Sequence, residues 1–222
     1  MSASIALFFI YLVGQSSSAE QVINEIRADD RARLQACIDK IETDPEEAYE
    51  DGLAWLSEGS RPPARHCRAL ALVALGQFED AASRLESLAA APDAGSLDQR
   101  ALYMSQASSA WLQARRFQEA VVSLTEAIRL RPSETAFYID RALANIALEN
   151  FIPAREDLNE ALGRQPDNSD AYRLRAQVSL EEKKFSAALD DIESALGIDP
   201  SNVDIALLRG EIREAIRLNS GE

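Results

Sequence analysis

One interval governs this chain. Pro132, Pro166 and Pro200 stand 34 residues apart, and so do Phe117, Phe151 and Phe185. The same spacing holds for Ala120, Ala154 and Ala188, for Ala127, Ala161 and Ala195, and for Leu124, Leu158 and Ile192. Chance is a poor explanation for five series in phase. They call for a short structural unit stacked on copies of itself, each burying its apolar face against the next. The composition says what that unit is made of. With only 9 glycines and 8 prolines in 222 residues, and with Ala, Leu, Glu and Arg dominant, the chain favours helix over the turns of a β fold. A hydrophobic share of 46% is ample for a folded core.

The period, the small residues at fixed contact points and the closing proline resemble the tetratricopeptide repeat. That resemblance implies an all-α fold, a right-handed α-solenoid of stacked antiparallel helix pairs. In its register the regular repeats run 101–134, 135–168 and 169–202. A further repeat, 62–95, carries Ala69, Phe78, Ala81, Leu85 and Leu88 in the matching places. Phe78 to Phe117 is 39 residues, and the excess falls around Ala91-Pro92-Asp93-Ala94-Gly95, which predicts a lengthened turn. Upstream, 20–60 reads as a degenerate pair with helices over 29–42 and 45–58 and with Ala48, Leu53 and Leu56 as apolar contacts. Downstream, 203–218 reads as a closing helix. Alanine at the fixed positions lets helices approach, Phe and Leu fill the gaps, and proline stops the second helix because it has no amide to donate. The chain departs from the family pattern at the early aromatic, which is Tyr138 and Tyr172 in two repeats but Met104 and Arg65 in others. The usual Leu-Gly dipeptide is replaced by Arg141-Ala142 and Arg175-Ala176.

The resemblance also implies where a partner would sit, on a concave face lined by the first helix of each pair. The matching positions are Leu70 and Val73, with His66 beside them, then Leu102, Ser105, Gln106, Ser109, Leu112 and Gln113. Asp140, Leu143 and Ile146 follow, then Asp170, Arg173, Gln177 and Leu180, and finally Leu207 with Asp204 and Glu211. Members that clamp a chaperone tail carry Lys, Asn and Arg at set places. Here those places hold His66, Ser105, Ile139 and Arg173, and Leu70, Ser109, Leu143 and Gln177, so that activity is disfavoured. The mixture of aliphatic, acidic and amide side chains suits a partly apolar peptide or helix of another protein. A structural subunit acting by self-association or fixed assembly in an envelope complex is the alternative.

No catalytic, metal or cofactor pattern is expected. A phosphate-binding glycine loop, a nucleophile elbow and paired catalytic carboxylates are all missing. His66 beside Cys67 lacks an orienting third residue and reads as a surface histidine, while Asp190-Asp191 and Glu181-Glu182 read as ordinary solvated charge. Trp111 reads as core, and Trp55 as either core or contact surface. A net charge of −14 repels phosphate backbones and anionic lipid, so no nucleic-acid partner is expected.

The unbroken apolar run Ile5 to Val13, followed by Ser17-Ser18-Ala19, has the form of a signal peptide over 1–19, although Met1 to Ser4 lacks the usual positive charge. Export to a periplasm or beyond is the expected localisation, with the cytoplasm as the alternative and no membrane insertion after processing. Cys37 and Cys67 fall on the first helices of adjacent pairs in the repeat register. If the chain is exported they form a candidate disulfide; otherwise they are two buried thiols.

Overall fold

The computed structural model describes residues 3–220, with side chains described from Glu20 onward. The expected signal segment, 1–19, therefore lies outside the residues whose side chains are described. Among the described residues there are eleven helices and no strand. The helices are α1 Ala3–Ile41, α2 Pro45–Glu58, α3 Pro62–Ala74, α4 Phe78–Ala90, α5 Leu97–Gln113, α6 Phe117–Leu130, α7 Thr135–Ala147, α8 Phe151–Arg164, α9 Ser169–Glu181, α10 Phe185–Ile198 and α11 Val203–Ser220. They fall into two compact units, Met1–Gln77 and Phe78–Glu222. No described helix is long and apolar enough to cross a membrane.

In the first unit, α1 is longer than the helix expected over 29–42, because no proline and only one glycine interrupts it before Ile41. Asp44 then caps α2 by accepting from the Glu47 amide at 2.9 Å, with Pro45 in the first helical turn, where a missing amide costs nothing. The core gathers Cys37, Trp55, Ala64 and Cys67, with Leu34, Ile41 and Leu56 packed against them. Trp55 is 3% exposed and so belongs to the core. Gly52 sets the closeness of α2 to α3, since a Cβ there would lie 3.3 Å from Cys67 Sγ. Cys37 and Cys67 are joined as a disulfide, with Cα atoms 6.0 Å apart.

In the second unit, helices alternate regularly. The even-numbered helices each open on a phenylalanine, Phe78, Phe117, Phe151 or Phe185. The turn before three of them is built in one way. Arg116 N–H donates to Trp111 O at 2.8 Å while Arg115 N–H donates to Leu112 O at 3.0 Å, and the pattern recurs at Asn150 with Asn145 and at Lys184 with Ser179, both 2.8 Å. This is the Schellman ending of a helix, which needs one residue in the left-handed region. Arg115, Glu149 and Lys183 take that conformation, with φ of 58°, 60° and 59°. At the end of α3 in the first unit the equivalent residue is Gly76, at φ 72°.

Core clusters follow the period. Ala101, Leu124, Ala127 and Phe137 meet between α5, α6 and α7. Tyr138, Ala142, Ala154, Leu158 and Ala161 meet Ala171, Leu174 and Val178 of α9. Ala176, Ala188, Ile192 and Ala195 meet Ile205, Leu208 and Ile212 of α11. The alanines of the two in-phase series are fully buried, as small residues at close helix crossings must be. The lengthened turn between α4 and α5 is also ordered. Arg100 donates to Ala89 O at 2.7 Å and to Pro92 O at 3.3 Å, and Ser96 with Gln99 forms a capping box that starts α5 at Leu97.

Candidate partner-binding face

The odd-numbered helices of the second unit carry the expected contact positions. α7 packs beside α9, and α9 beside α11, so their outward faces form a continuous strip. Between α9 and α11 lies a cleft of about 320 Å³, lined by Arg173, Gln177, Leu180 and Glu181 on one side and Asp204, Leu207 and Glu211 on the other. A second cleft of about 320 Å³ runs between α7 and α9, lined by Ile146, Glu149, Phe151, Gln177 and Glu181. Gln177 and Glu181 belong to both, so the two are joined.

The structure thus brings Ile146, Arg173, Gln177, Leu180 and Leu207 together. Leu143 on α7 stands 43% exposed and Leu207 on α11 61% exposed. Asp140 on α7 is half-buried and has no ion-pair or hydrogen-bond partner for its carboxylate among the described residues, and burial pushes its carboxyl above the ordinary range. Asp170 is exposed and accepts from Arg173 at 3.4 Å. On α5, Leu102 and Gln113 are exposed, while Ser105, Gln106 and Leu112 are half-buried. Ser109 turns its hydroxyl onto Ser105 O at 3.1 Å, which occupies it locally. Leu70 and Val73 lie half-buried on α3 of the first unit.

His66 on α3 is not a surface residue. It is only 5% exposed, because α3 packs on both α1 and α2 and this widens its buried arc. The first unit also has its own cleft of about 400 Å³, beside the disulfide and lined by Arg33, Lys40, Asp51, Trp55 and Glu58. Its charges are already satisfied: Arg33 lies 4.5 Å over the Trp55 ring and pairs with Glu58 at 2.7 Å. Lys40 is held by Asp51 and Glu47, which push its ammonium upward.

Two expectations about charge need correction. Asp191 is not solvated; it is 9% exposed and accepts two bonds from Arg175, at 2.7 and 2.9 Å. One period earlier, Arg141 grips Asp157 with the same two distances. Each acid lies 16 residues after its arginine, so the pair ties the first helix of a repeat to the second. The hydrogen bond that Arg141 donates to Asp157 is the leading cause that holds Arg141 above its ordinary range, and the one to Asp191 does the same for Arg175. Glu182 is likewise engaged. Burial works against its charge, yet Arg155 and Lys184 hold its carboxyl below the usual range. Sequence reasoning missed these pairs because each acid was weighed alone. The signal was present, since Arg141 and Arg175 repeat in step with Asp157 and Asp191.

Trp111 is core and keeps its polar end satisfied, with Nε1 donating to Glu86 at 2.9 Å. Ser123 donates to the same carboxyl oxygen at 2.6 Å. Ser123 stands one period before Asp157, and Ala107 one period before Arg141. The first regular repeat therefore replaces the Arg–Asp link with a Trp–Glu–Ser link that reaches back to α4.

Helix pairs that recur in step and stack side by side define a helical-repeat protein. The tetratricopeptide repeat pattern matches residues 68–135 and 139–203, more than half of the chain, and the protein belongs to that family. Among solved structures, the tetratricopeptide domain of Arabidopsis OM64 is 25% identical at a TM-score of 0.52, over 53% of this chain and 98% of that one. MamA from Desulfovibrio magneticus RS-1 is 17% identical at a TM-score of 0.65, over 78% of this chain and 95% of its own. The first such domain of Spaghetti (RPAP3), solved bound to the HSP90 peptide SRMEEVD, is 23% identical at a TM-score of 0.52, over 54% and 95%. No curated protein sequence matches the chain.

Proposed function

We propose that the strip formed by α7, α9 and α11 holds a peptide or helix of a partner protein, and that the chain performs no chemistry of its own. The observation that carries this reading is the joined pair of clefts, where Leu207 stands open and Leu180 half-buried beside Gln177 and four carboxylates. An open apolar side chain ringed by polar groups is the usual setting for a peptide anchor. Tetratricopeptide repeats serve protein–protein interaction, and the Spaghetti domain was solved with a peptide in place. Export belongs to the same proposal: a disulfide such as Cys37–Cys67 persists in an oxidising compartment and is rare in a reducing cytosol.

The test compares two double variants of exposed residues. Leu143→Glu with Leu207→Glu disrupts the strip, whereas Val122→Glu with Ile152→Glu alters the second helices of the repeats, where those residues are 61% and 70% exposed. Partners captured by the wild type are expected to be lost by the first variant and kept by the second, with unchanged circular dichroism in both. The reverse pattern places binding on the other face. Self-association draws on a separate observation, the exposed Val22, Ile23 and Ile26 at helical spacing on α1. Sedimentation over a range of concentrations decides it, and a monomer throughout removes it.

A further inference from the structure

The joined clefts are not neutral. Glu149, Glu181, Asp204 and Glu211 line them, and none has an ion-pair or hydrogen-bond partner for its carboxylate among the described residues. The sole cation in the lining is Arg173, which already faces Asp170 at 3.4 Å. Elsewhere in the same unit acids are mostly engaged: Asp157, Asp191, Glu182, Glu86, Glu119 and Glu193 all meet a donor.

The positions of two of these glutamates sharpen the point. Glu181 ends α9, and Glu149 follows α7 at the left-handed residue of its turn. Both sit at the negative end of a helix dipole, where an acid is unfavourable and a cation favourable. At these places the free protein carries a charge it gains nothing from. A cation brought from outside would relieve the helix ends and pair the carboxylates together. Leu207, which is 61% exposed, and the half-buried Leu180 line the same cleft.

We propose that the clefts select a cationic amphipathic segment of a partner protein, with Lys or Arg against Glu181, Asp204 and Glu211 and aliphatic side chains over Leu180 and Leu207. The inference rests on the peptide-binding reading above. An acidic tail of the SRMEEVD kind has the wrong sign for this surface.

The probe is a fluorescein-labelled helical peptide of leucine and lysine, leucines spaced along one face, beside its leucine and glutamate counterpart. Fluorescence polarisation against the full chain is expected to show saturable binding of the lysine peptide alone. Glu181→Gln, Asp204→Asn and Glu211→Gln together should weaken it roughly tenfold, as the sum of three partly exposed ion pairs. Glu156→Gln, Asp167→Asn and Asp190→Asn remove the same charge elsewhere and should change it by less than about twofold. Equal weakening by the two triples, equal binding of the glutamate peptide, or no saturable binding of the lysine peptide overturns the proposal. Leu207→Ser separates it from the reading beneath. Binding that falls with Leu207→Ser but ignores the cleft acids keeps the cleft and removes the charge rule; binding indifferent to both removes the cleft too.

Discussion

The two units of this protein are held together by different means. In the second, contacts repeat: buried alanines, one aliphatic residue and one Arg–Asp link recur at a fixed interval, so each repeat is secured by several interactions of modest strength. In the first, nothing repeats. Its core is small, and α1 is joined to α3 by one disulfide, with Arg33 stacked on Trp55 between Glu58 and the ring face. The contrast shows what a covalent link substitutes for. A stack gains stability from neighbours of its own kind; a degenerate pair lacks that match and relies on restricting its unfolded state.

The largest expected effect comes from removing that link. Cys37→Ser with Cys67→Ser, or reduction, opens a loop of 30 residues and should cost roughly 3 kcal/mol in the first unit. Amide exchange should rise across α1–α3 while α4–α11 exchange as before. Uniform acceleration through both units would erase the distinction drawn between them.

Next is the repeating ion pair. Asp157→Asn and Asp191→Asn each leave a half-buried guanidinium with a weakened partner and should each cost about 2 kcal/mol in chemical unfolding. Because the links sit in successive repeats, the two losses should add nearly in full. A change at neither site would mean that the alanine and leucine contacts carry the stack alone.

A smaller effect, of opposite sign, is expected at the turns. Glu149→Gly and Lys183→Gly relieve left-handed backbone at a non-glycine residue and should stabilise by about 0.5–1 kcal/mol each. In the first unit Gly76→Ala should destabilise by a similar amount.

The smallest concerns Asp140. Its folded pKa is raised, so the native state holds the proton more tightly than the unfolded chain, and the charged form costs stability at neutral pH. That cost fades as pH falls through the raised value. Asp140→Asn should therefore lift Tm by about 1–2 °C at pH 7, and the gain should vanish below the ordinary carboxylate range. Glu182 runs the other way: its depressed pKa contributes stability that is present at neutral pH and lost on acidification.

Much of the second unit was legible before any coordinates. The in-phase Phe, Ala and Pro residues mark helix starts, close crossings and helix ends, because those roles depend on local geometry and residue size. Less could be read where a role depends on a distant partner. Asp191 in sequence is one of two adjacent acids on a helix, and only the approach of Arg175 from the preceding helix makes it a buried link. His66 has the residue type of a surface position and is buried because α3 is packed on two sides. The contact positions were named from the family register, yet of those on α7, α9 and α11 it is Ile146, Arg173, Gln177, Leu180, Asp204, Leu207 and Glu211 that converge on the joined clefts.

The 34-residue period alone determined the helical-repeat fold, since stacking identical units is the way such a chain can bury its alanines and leucines. Tertiary structure alone decided which charges are spent inside the stack and which remain open. Ion pairs such as Arg141–Asp157 join residues 16 apart on separate helices, and a carboxylate's partner is set by how those helices pack. Among the described residues, that division leaves Glu149, Glu181, Asp204 and Glu211 unpaired around Leu180 and Leu207, on the face proposed to meet a partner.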